Sequence, residues 1–330
     1  MPPASTHPSS AHRFTFTVIG GDGRMTHLAE RLVEEGYPVS LLGCGNDCLP
    51  SHDQQNNLRI CSTLQKAVED ATVLILPLPA TRDGTTICCP RDPDCHVTFE
   101  DLSALLSRHP NMILFGGKLP HDFCHEINTD TIRAIDYYGN PVLQLRNAYI
   151  TAEAALMTAM ELTDRTLRDT SVGVLGYGRI GKYLARLLHT LGADVTVCAR
   201  REESLFEAAA EGCHPLLITE NTQMNGLHPL CRDHAILFNT IPARIMTREL
   251  LTSLDRDTLL IDLASAPFGA CDSDVRDATA HNGLRYLRAP SLPGSYAPRD
   301  AGRILAECIL DTLANLVPSP EISTEGGKES

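Results

Sequence analysis

The chain has 330 residues, of which 43% are hydrophobic and 21% are charged, and its formal net charge is −13. This composition is typical of soluble globular protein, and the length suits two domains better than one core. The acidic balance argues against nucleic-acid or anionic-membrane binding, since both require a clustered basic face. No apolar run reaches membrane-spanning length and the amino terminus lacks a signal-peptide core, so we expect a cytoplasmic location.

The twelve cysteines do not form a metal-ligand pattern. No two of them have CxxC spacing, and His121, Cys124 and His125 lack further suitable ligands nearby. Scattered cysteines are mostly small buried hydrophobic residues in such a chain, and we therefore expect no metal site.

The first half of the chain begins, after a polar lead at 1–13 that we expect to be disordered, with a βαβ pattern. The stretch FTFTVIGGDGR and its continuation predict a strand at 14–19, a glycine turn, a helix at 25–35 and a strand at 38–43. Asp22 in this turn would lie badly against a pyrophosphate, so the dinucleotide is not assigned here. Arg24 is instead a candidate contact for an anionic substrate.

A buried strand predicted at 72–78 leads into the loop LPATRDG. Ligands of open parallel sheets bind beyond the carboxyl ends of strands, which makes Thr81 and Arg82 candidates for holding a substrate carboxylate. A plain proline and glycine turn with solvated charges is the alternative. Helices near 62–69, 99–108 and 121–134 and strands at 112–115 and 142–145 complete this half.

An Ala-, Leu- and Met-rich helix is predicted over 150–167, with Asn147 or Thr151 as its cap. It leads into the stretch 170–201, in which an apolar strand, the sequence GYGRIG, an amphipathic helix and a second strand follow one another. Gly176 allows the tight turn, Gly178 admits a pyrophosphate and Gly181 lets helix pack on strand. The backbone of Tyr177, Arg179 and Ile180 belongs to the same cofactor-binding turn.

The second strand of this unit ends in Ala199-Arg200-Arg201, where NAD-binding proteins usually carry an acidic residue. Two guanidinium groups suit a ribose 2′-phosphate, so Arg200 and Arg201 predict NADP rather than NAD. Two solvated arginines at a strand end are the alternative interpretation.

Three later loops at strand ends are expected to face the nicotinamide side of the cofactor. They supply the cofactor contacts Thr240, Ile241, Pro242 and Ala264 and the substrate contacts Ser265, Pro293 and Gly294. A last helix at 298–316 has one apolar face, and the polar tail at 318–330 is expected to be loose.

The predicted architecture is α/β, with two doubly wound, Rossmann-like parallel sheets joined by a long helix and a ligand cleft between them. The substrate domain spans 14–149 and the NADP-binding domain spans 150–296, of which 150–167 is the linking helix. Residues 297–317 are expected to return to the first domain.

The order and spacing of VIGGDGR, LPLPATRDG, GVLGYGRIG, NTIP, LIDLAS and APSLPGSYAP resemble the A-subunit family of dipicolinate synthase over residues 14–316. Ile150, Ala154 and Ser291 depart from the residues common in that family. The resemblance implies NADP-dependent oxidation of dihydrodipicolinate to dipicolinate during sporulation. It also implies a partner, the flavoprotein-like B-subunit of dipicolinate synthase. We further expect a homo-oligomer.

Two other functions remain open. D-2-hydroxyacid dehydrogenases have the same two-domain plan, but Asn239-Thr240 is followed here by Ile-Pro, and the loop at 289–298 has no histidine. A non-catalytic, cofactor-binding protein that needs its partner is the second alternative. No residue stands out as general acid or base, so the catalytic residue is left unassigned.

Overall fold

Two six-stranded parallel sheets with flanking helices make up the computed structural model of the chain. The structure describes residues 14–45, 57–109, 111–127, 133–219 and 234–316. The chain divides into a first unit, 1–143 with 298–330, and a second unit, 144–297. The predicted fold class of two doubly wound α/β sheets is confirmed.

The first unit has the strand order β3-β2-β1-β4-β5-β6, and every neighbouring pair is parallel. Its strands are β1 (Phe16–Ile19), β2 (Val39–Leu42), β3 (Leu58–Ile60), β4 (Val73–Ile75), β5 (Ile113–Gly116) and β6 (Arg133–Asp136). Its helices before residue 141 are α1 (Gly23–Glu34), α2 (Leu64–Val68), α3 (Phe99–Leu106) and α4 (His121–Ile127), and a 3-10 turn covers Tyr137–Gly139.

The second unit has the strand order β12-β11-β10-β7-β8-β9, again parallel throughout. Its strands are β7 (Ser171–Leu175), β8 (Asp194–Ala199), β9 (His214–Leu217), β10 (Ile236–Asn239), β11 (Leu259–Asp262) and β12 (Arg285–Arg288). Its helices are α5 (Pro141–Leu162), which starts in the first unit, α6 (Arg179–Thr190), α7 (Glu202–Ala210), α8 (Arg248–Ser253), α9 (Asp272–Asn282) and α10 (Leu292–Tyr296).

Both sheets are buried on their two faces, as the continuous apolar runs of their central strands require. In the second unit Val172, Val174 and Phe238 face one apolar cluster, while Leu175 and Leu237 face the other. The polar residues of these strands therefore concentrate at strand ends, where binding sites of α/β proteins form.

The start of α5 corrects the predicted linking helix at 150–167 and the predicted strand at 142–145. The helix begins at Pro141, because Asn140 Oδ1 accepts the N–H groups of Val142 and Leu143 at 2.9 and 3.1 Å. An asparagine cap followed by proline at the first helical position is a strong start signal.

The two proposed caps of this helix, Asn147 and Thr151, lie inside it. The Thr151 hydroxyl donates to the Asn147 carbonyl at 2.8 Å, one turn earlier. At its other end the helix stops at Leu162, before the predicted residue 167.

Two edge strands of the first sheet were not predicted. The helix expected at 121–134 ends at Ile127, and Arg133–Asp136 pairs with β5 as β6. Leu58–Ile60, for which the sequence predicts no element, pairs with β2 as β3. Short, exposed edge strands lack the apolar run that identifies a buried strand.

The last helix, α11 (Pro298–Leu316), belongs to the first unit and packs on α1. A Cβ at Gly302 would lie only 2.4 Å from the Arg24 carbonyl oxygen, so glycine is what permits the close helix crossing. Leu305, Ile309 and Leu313 join the apolar cluster beneath it.

The predicted lead at 1–13 and tail at 318–330 lie outside the described residues. Within the residues that the structure describes, no helix is both long enough and apolar enough to cross a membrane.

Candidate functional site

The glycine turn after β7 is held together by close contacts within the second unit. Gly176 has φ +99°, and a Cβ there would lie 2.4 Å from Thr240 Oγ1. A Cβ at Gly181 would lie 2.1 Å from the Gly176 carbonyl oxygen. Both positions exclude a side chain, because the neighbouring atoms are backbone or are themselves fixed by hydrogen bonds.

Gly178 differs from the other two glycines. Its φ is −82°, and apart from the glycine and its two chain neighbours no atom of the described residues lies within 4 Å of the position that its Cβ would take. It is the N-cap of α6, and no side chain there accepts a hydrogen bond from the first turn of the helix. The glycine thus leaves open space next to unpaired N–H groups, which is the arrangement that binds phosphate.

The side chains around this glycine have different roles. Tyr177 is buried, and its hydroxyl donates to Glu211 Oε2 at 3.1 Å, while the Lys182 ammonium lies 5.4 Å from its ring centroid. Burial, followed by the Glu211 hydrogen bond, raises the pKa of Tyr177. Ile180 packs against the core and Arg179 is exposed, so Tyr177 and Ile180 offer a ligand their backbone only.

Arg200 and Arg201 follow β8 and are both exposed. Neither makes an ion pair or a hydrogen bond through its side chain within the described part of the chain. The two guanidinium groups are therefore available to an anion at the strand end next to the glycine turn.

The other predicted cofactor contacts surround the same strand ends. Thr240 donates its N–H and its hydroxyl to the Leu175 carbonyl at 2.8 and 3.0 Å, which fixes the turn from the side of β10. Ile241 is half-buried, Pro242 is exposed and Ala264 is buried, with its N–H on the Asp262 carboxylate at 3.2 Å.

Of the substrate contacts predicted in the second unit, only Ser265 presents an exposed side chain. Pro293 is buried, and the Gly294 N–H donates to the Ser291 carbonyl at 3.1 Å within the short helix α10. The Gly294 N–H, which was expected to contact a carboxylate, is therefore already paired, because the helical turn that starts at Leu292 uses it.

In the first unit the corresponding turn is closed by its own side chains. Asp22 caps α1 and holds the Arg24 guanidinium through two hydrogen bonds of 2.8 and 2.7 Å. Arg24 also donates to the Leu78 carbonyl at 2.6 Å and is buried. Arg24 thus ties the glycine turn to the loop after β4 rather than reaching out as a free cation.

The loop after β4 is built around Asp83. The Thr81 hydroxyl donates to Asp83 Oδ1 and accepts the Gly84 N–H, both at 2.9 Å. Hydrogen bonds from Thr86, and then from the Thr85 N–H, hold the pKa of the Asp83 carboxyl well below its usual range. Arg82 remains exposed on this ordered turn, with no ion pair among the described residues.

Comparison with known proteins identifies both units. A family model described as the N-terminal domain of the dipicolinate synthase A-subunit matches residues 15–138. The NAD binding domain of D-isomer specific 2-hydroxyacid dehydrogenases matches residues 144–264. The dipicolinate synthase A-subunit of Bacillus subtilis (strain 168) is 31% identical over 313 residues, which cover 94% of this chain and 97% of that protein. The chain belongs to the dipicolinate synthase A-subunit family.

Solved structures agree with this family. The dipicolinate synthase A-subunit from Bacillus halodurans has a TM-score of 0.76 at 26% identity, covering 93% of this chain and 99% of its own. The Bacillus subtilis structure has a TM-score of 0.73 at 27% identity, covering 92% and 96%. A transhydrogenase from Sinorhizobium meliloti, at 15% identity and a TM-score of 0.64 over 92% and 94%, shares the fold.

The resemblance to the dipicolinate synthase A-subunit family is thereby confirmed, and the second unit is the nicotinamide-cofactor-binding domain of an oxidoreductase. The structure also adds residues that sequence reasoning missed. Asn239 and Asp262, the last residues of β10 and β11, are fully buried and hydrogen-bonded to each other at 2.8 Å. Their signal was a polar residue ending each apolar run.

We expect alanine to reduce the stability of the protein at Gly181 and to have little effect on it at Gly178. Gly181→Ala should lower the free energy of unfolding by about 1–3 kcal/mol, because its Cβ overlaps the Gly176 carbonyl. Gly178→Ala should change that free energy by less than about 1 kcal/mol. Urea unfolding followed by circular dichroism measures both, and equal losses in the two variants would contradict the open space at Gly178.

Proposed function

We propose that this chain oxidises dihydrodipicolinate to dipicolinate (pyridine-2,6-dicarboxylate), with NADP⁺ as hydride acceptor. The ring loses a hydride from one carbon and a proton from another position, and it becomes aromatic. Because aromatisation supplies much of the driving force, the task of the chain's residues is to orient the ring and hold its carboxylates. Family membership over 94% of the chain is the observation that carries this proposal.

The glycine turn and the two arginines after β8 support the phosphorylated cofactor. The open space at Gly178 fits a pyrophosphate at the start of α6, and the backbone of 177–181 would hold it. Arg200 and Arg201 are exposed and would hold a 2′-phosphate through paired, charge-assisted hydrogen bonds. Thr240, Ile241, Pro242 and Ala264 would border the nicotinamide end.

The arginines should decide between NADP and NAD. Arg200→Ser with Arg201→Ser should raise the Kd for NADPH by about tenfold or more and change the Kd for NADH by less than about twofold. The chain has no tryptophan, so the emission of the reduced nicotinamide can be read without interference. Arg168→Ser, an exposed arginine before β7, is the matched control. An equal loss of affinity for NADPH and NADH would contradict the assignment of Arg200 and Arg201 to the 2′-phosphate.

Each unit has its own candidate residues for contacting a substrate carboxylate. Arg82 and Ser265 have exposed side chains for direct contact. Arg24 and Thr81 hold the shape of the loops that carry such contacts, through Asp22, Leu78 and Asp83. Pro293 and Gly294 contribute the short helix α10 as a wall.

Substitutions in the loop after β4 should affect the substrate and spare the cofactor. Arg82→Ala should raise the substrate KM by about tenfold, the loss of one charged hydrogen-bond pair. Thr81→Val should raise the KM by a smaller factor, because it removes the Thr81 hydrogen bonds to Asp83 and Gly84 and leaves those from Thr85 and Thr86 to Asp83 in place. Steady-state kinetics and NADPH titration measure the two effects. Arg108→Ala, exposed in the same unit, is the control. A lost affinity for NADPH would refute the substrate role.

No side chain is assigned as general acid or base. The loops after β10, β11 and β12 contain no histidine, the residue that usually takes the proton in hydride transfer. We propose that water or a substrate carboxylate accepts the ring proton.

The partner and the two alternative functions are tested together. The relatives carry the name of one component of a synthase, which supports a second component, the flavoprotein-like B-subunit. Absorbance of the aromatic product, measured with the chain alone and then with this partner, separates an active enzyme from a cofactor-binding protein. Turnover of a 2-keto acid with NADPH would favour the D-2-hydroxyacid dehydrogenase function, which the match at 144–264 makes the second candidate.

We also propose a homo-oligomer. One face of α5 packs in the core, and its outer side carries large apolar side chains among charged ones: Leu145, Tyr149, Met157 and Met160 are 38–49% exposed. Clustered, exposed large apolar side chains often mark a contact surface between protein chains. Light scattering on Met157→Glu with Met160→Glu should show a smaller mass than the parent chain, and an unchanged mass would exclude this face.

A further inference from the structure

A buried carboxylate lies at the carboxyl end of β11. Asp262 is fully buried, and its Oδ1 accepts Asn239 Nδ2 at 2.8 Å and the Ala264 N–H at 3.2 Å. Its Oδ2 accepts the Gly269 N–H and the Tyr286 hydroxyl, both at 2.8 Å. Four donors occupy the two oxygens, and removing either acceptor would leave buried donors unpaired.

The donors come from segments that are distant in sequence. Asn239 also fixes the loop after β10 through two hydrogen bonds to Ile241. Its Oδ1 accepts the Ile241 N–H at 3.1 Å, and its Nδ2 donates to the Ile241 carbonyl at 3.2 Å. Ala264 and Gly269 belong to the loop after β11, and Tyr286 belongs to β12. Asp262 therefore fixes the two loops that leave β10 and β11.

Tyr286 is itself held from the other side. Burial, opposed by Arg288 and assisted by Asp262, raises the pKa of Tyr286 to about 12, so its hydroxyl stays a donor at neutral pH. The Arg288 guanidinium lies 4.2 Å from the Phe268 ring and donates to Asp272 at 2.8 Å. The chain of contacts thus runs from the surface at Asp272 to the buried end of β10.

The order of the strands indicates which part of a dinucleotide these loops would meet. The glycine turn follows β7, which has β8 on one side and β10 on the other. Arg200 and Arg201, the proposed 2′-phosphate contacts, follow β8. In a doubly wound sheet the two halves of the dinucleotide lie on opposite sides of this central strand, so the ends of β10 and β11 face the nicotinamide half.

We propose that Asp262 and Tyr286 are positioning residues for the nicotinamide half of the cofactor. By fixing the loops at 240–242 and 264–270 they raise affinity for the intact dinucleotide without touching the adenosine half. This inference rests on the proposed cofactor function.

Tyr286→Phe is the informative variant, because it removes one hydroxyl and keeps the ring against Arg288. Its Kd for NADPH should rise by about tenfold, the loss expected for a hydrogen bond to a buried charged group. Its Kd for 2′,5′-ADP, which has no nicotinamide half, should stay within about twofold of the parent value. The ratio of the Kd for the intact dinucleotide to the Kd for its adenosine half is also measured with NADH and ADP. The result then does not depend on the 2′-phosphate.

Thr258→Val separates positioning from general loosening. Thr258 is buried and directly precedes the first residue of β11, at the opposite end of the strand from Asp262. Its hydroxyl donates to the His234 carbonyl at 3.0 Å. This variant should lower the Tm about as much as Tyr286→Phe and leave both Kd values unchanged. Asp262→Asn should lose more NADPH affinity than Tyr286→Phe, with 2′,5′-ADP again unaffected.

Three results would overturn the inference. Tyr286→Phe could leave the ratio of the two Kd values unchanged, it could weaken NADPH and 2′,5′-ADP equally, or Thr258→Val could change the ratio as much. Failure of the parent chain to bind any of the four ligands would instead refute the proposed function, and this inference with it. The parent measurement therefore distinguishes the two failures.

Discussion

A helix that begins directly after a strand leaves its first N–H groups without partners, and this constraint shapes both units. In the first unit Asp22 supplies the missing acceptor, and Arg24 then neutralises it through two hydrogen bonds. In the second unit Gly178 occupies the same place and supplies no acceptor. The described part of the chain therefore contains one closed and one open version of the same turn, and the open one is the turn to which we assign the cofactor phosphates in our proposal.

The strand ends follow from a second constraint, burial of the sheets on both faces. A parallel strand packed on both sides has most room for polar side chains where it ends, and each buried polar group needs partners. Asn239 and Asp262 meet this need with each other, with loop N–H groups and with Tyr286. The same bonds that stabilise these residues also determine the course of the loops, so stability and the shape of the site are coupled.

Sequence reasoning found the central strands and the GYGRIG turn because apolar runs and glycine spacing are local signals. It missed β3 and β6, whose residues form strands only because β2 and β5 present open edges. It also placed the start of α5 too late, although Asn140-Pro141 carried the cap signal. It could not predict the hydrogen bond from Arg24 to the Leu78 carbonyl, because these residues are far apart in sequence.

The charge of the chain limits how an anionic substrate can be recognised. A net charge of −13 gives no long-range attraction for a dicarboxylate, so affinity must come from short, fixed contacts. In the proposed substrate site the turn around Asp83 would serve this purpose, because Thr81, Thr85 and Thr86 order its backbone through hydrogen bonds to Asp83 or Gly84. Arg82 is then presented from a loop whose ordering entropy is already lost, which is the condition under which one exposed guanidinium adds most to binding.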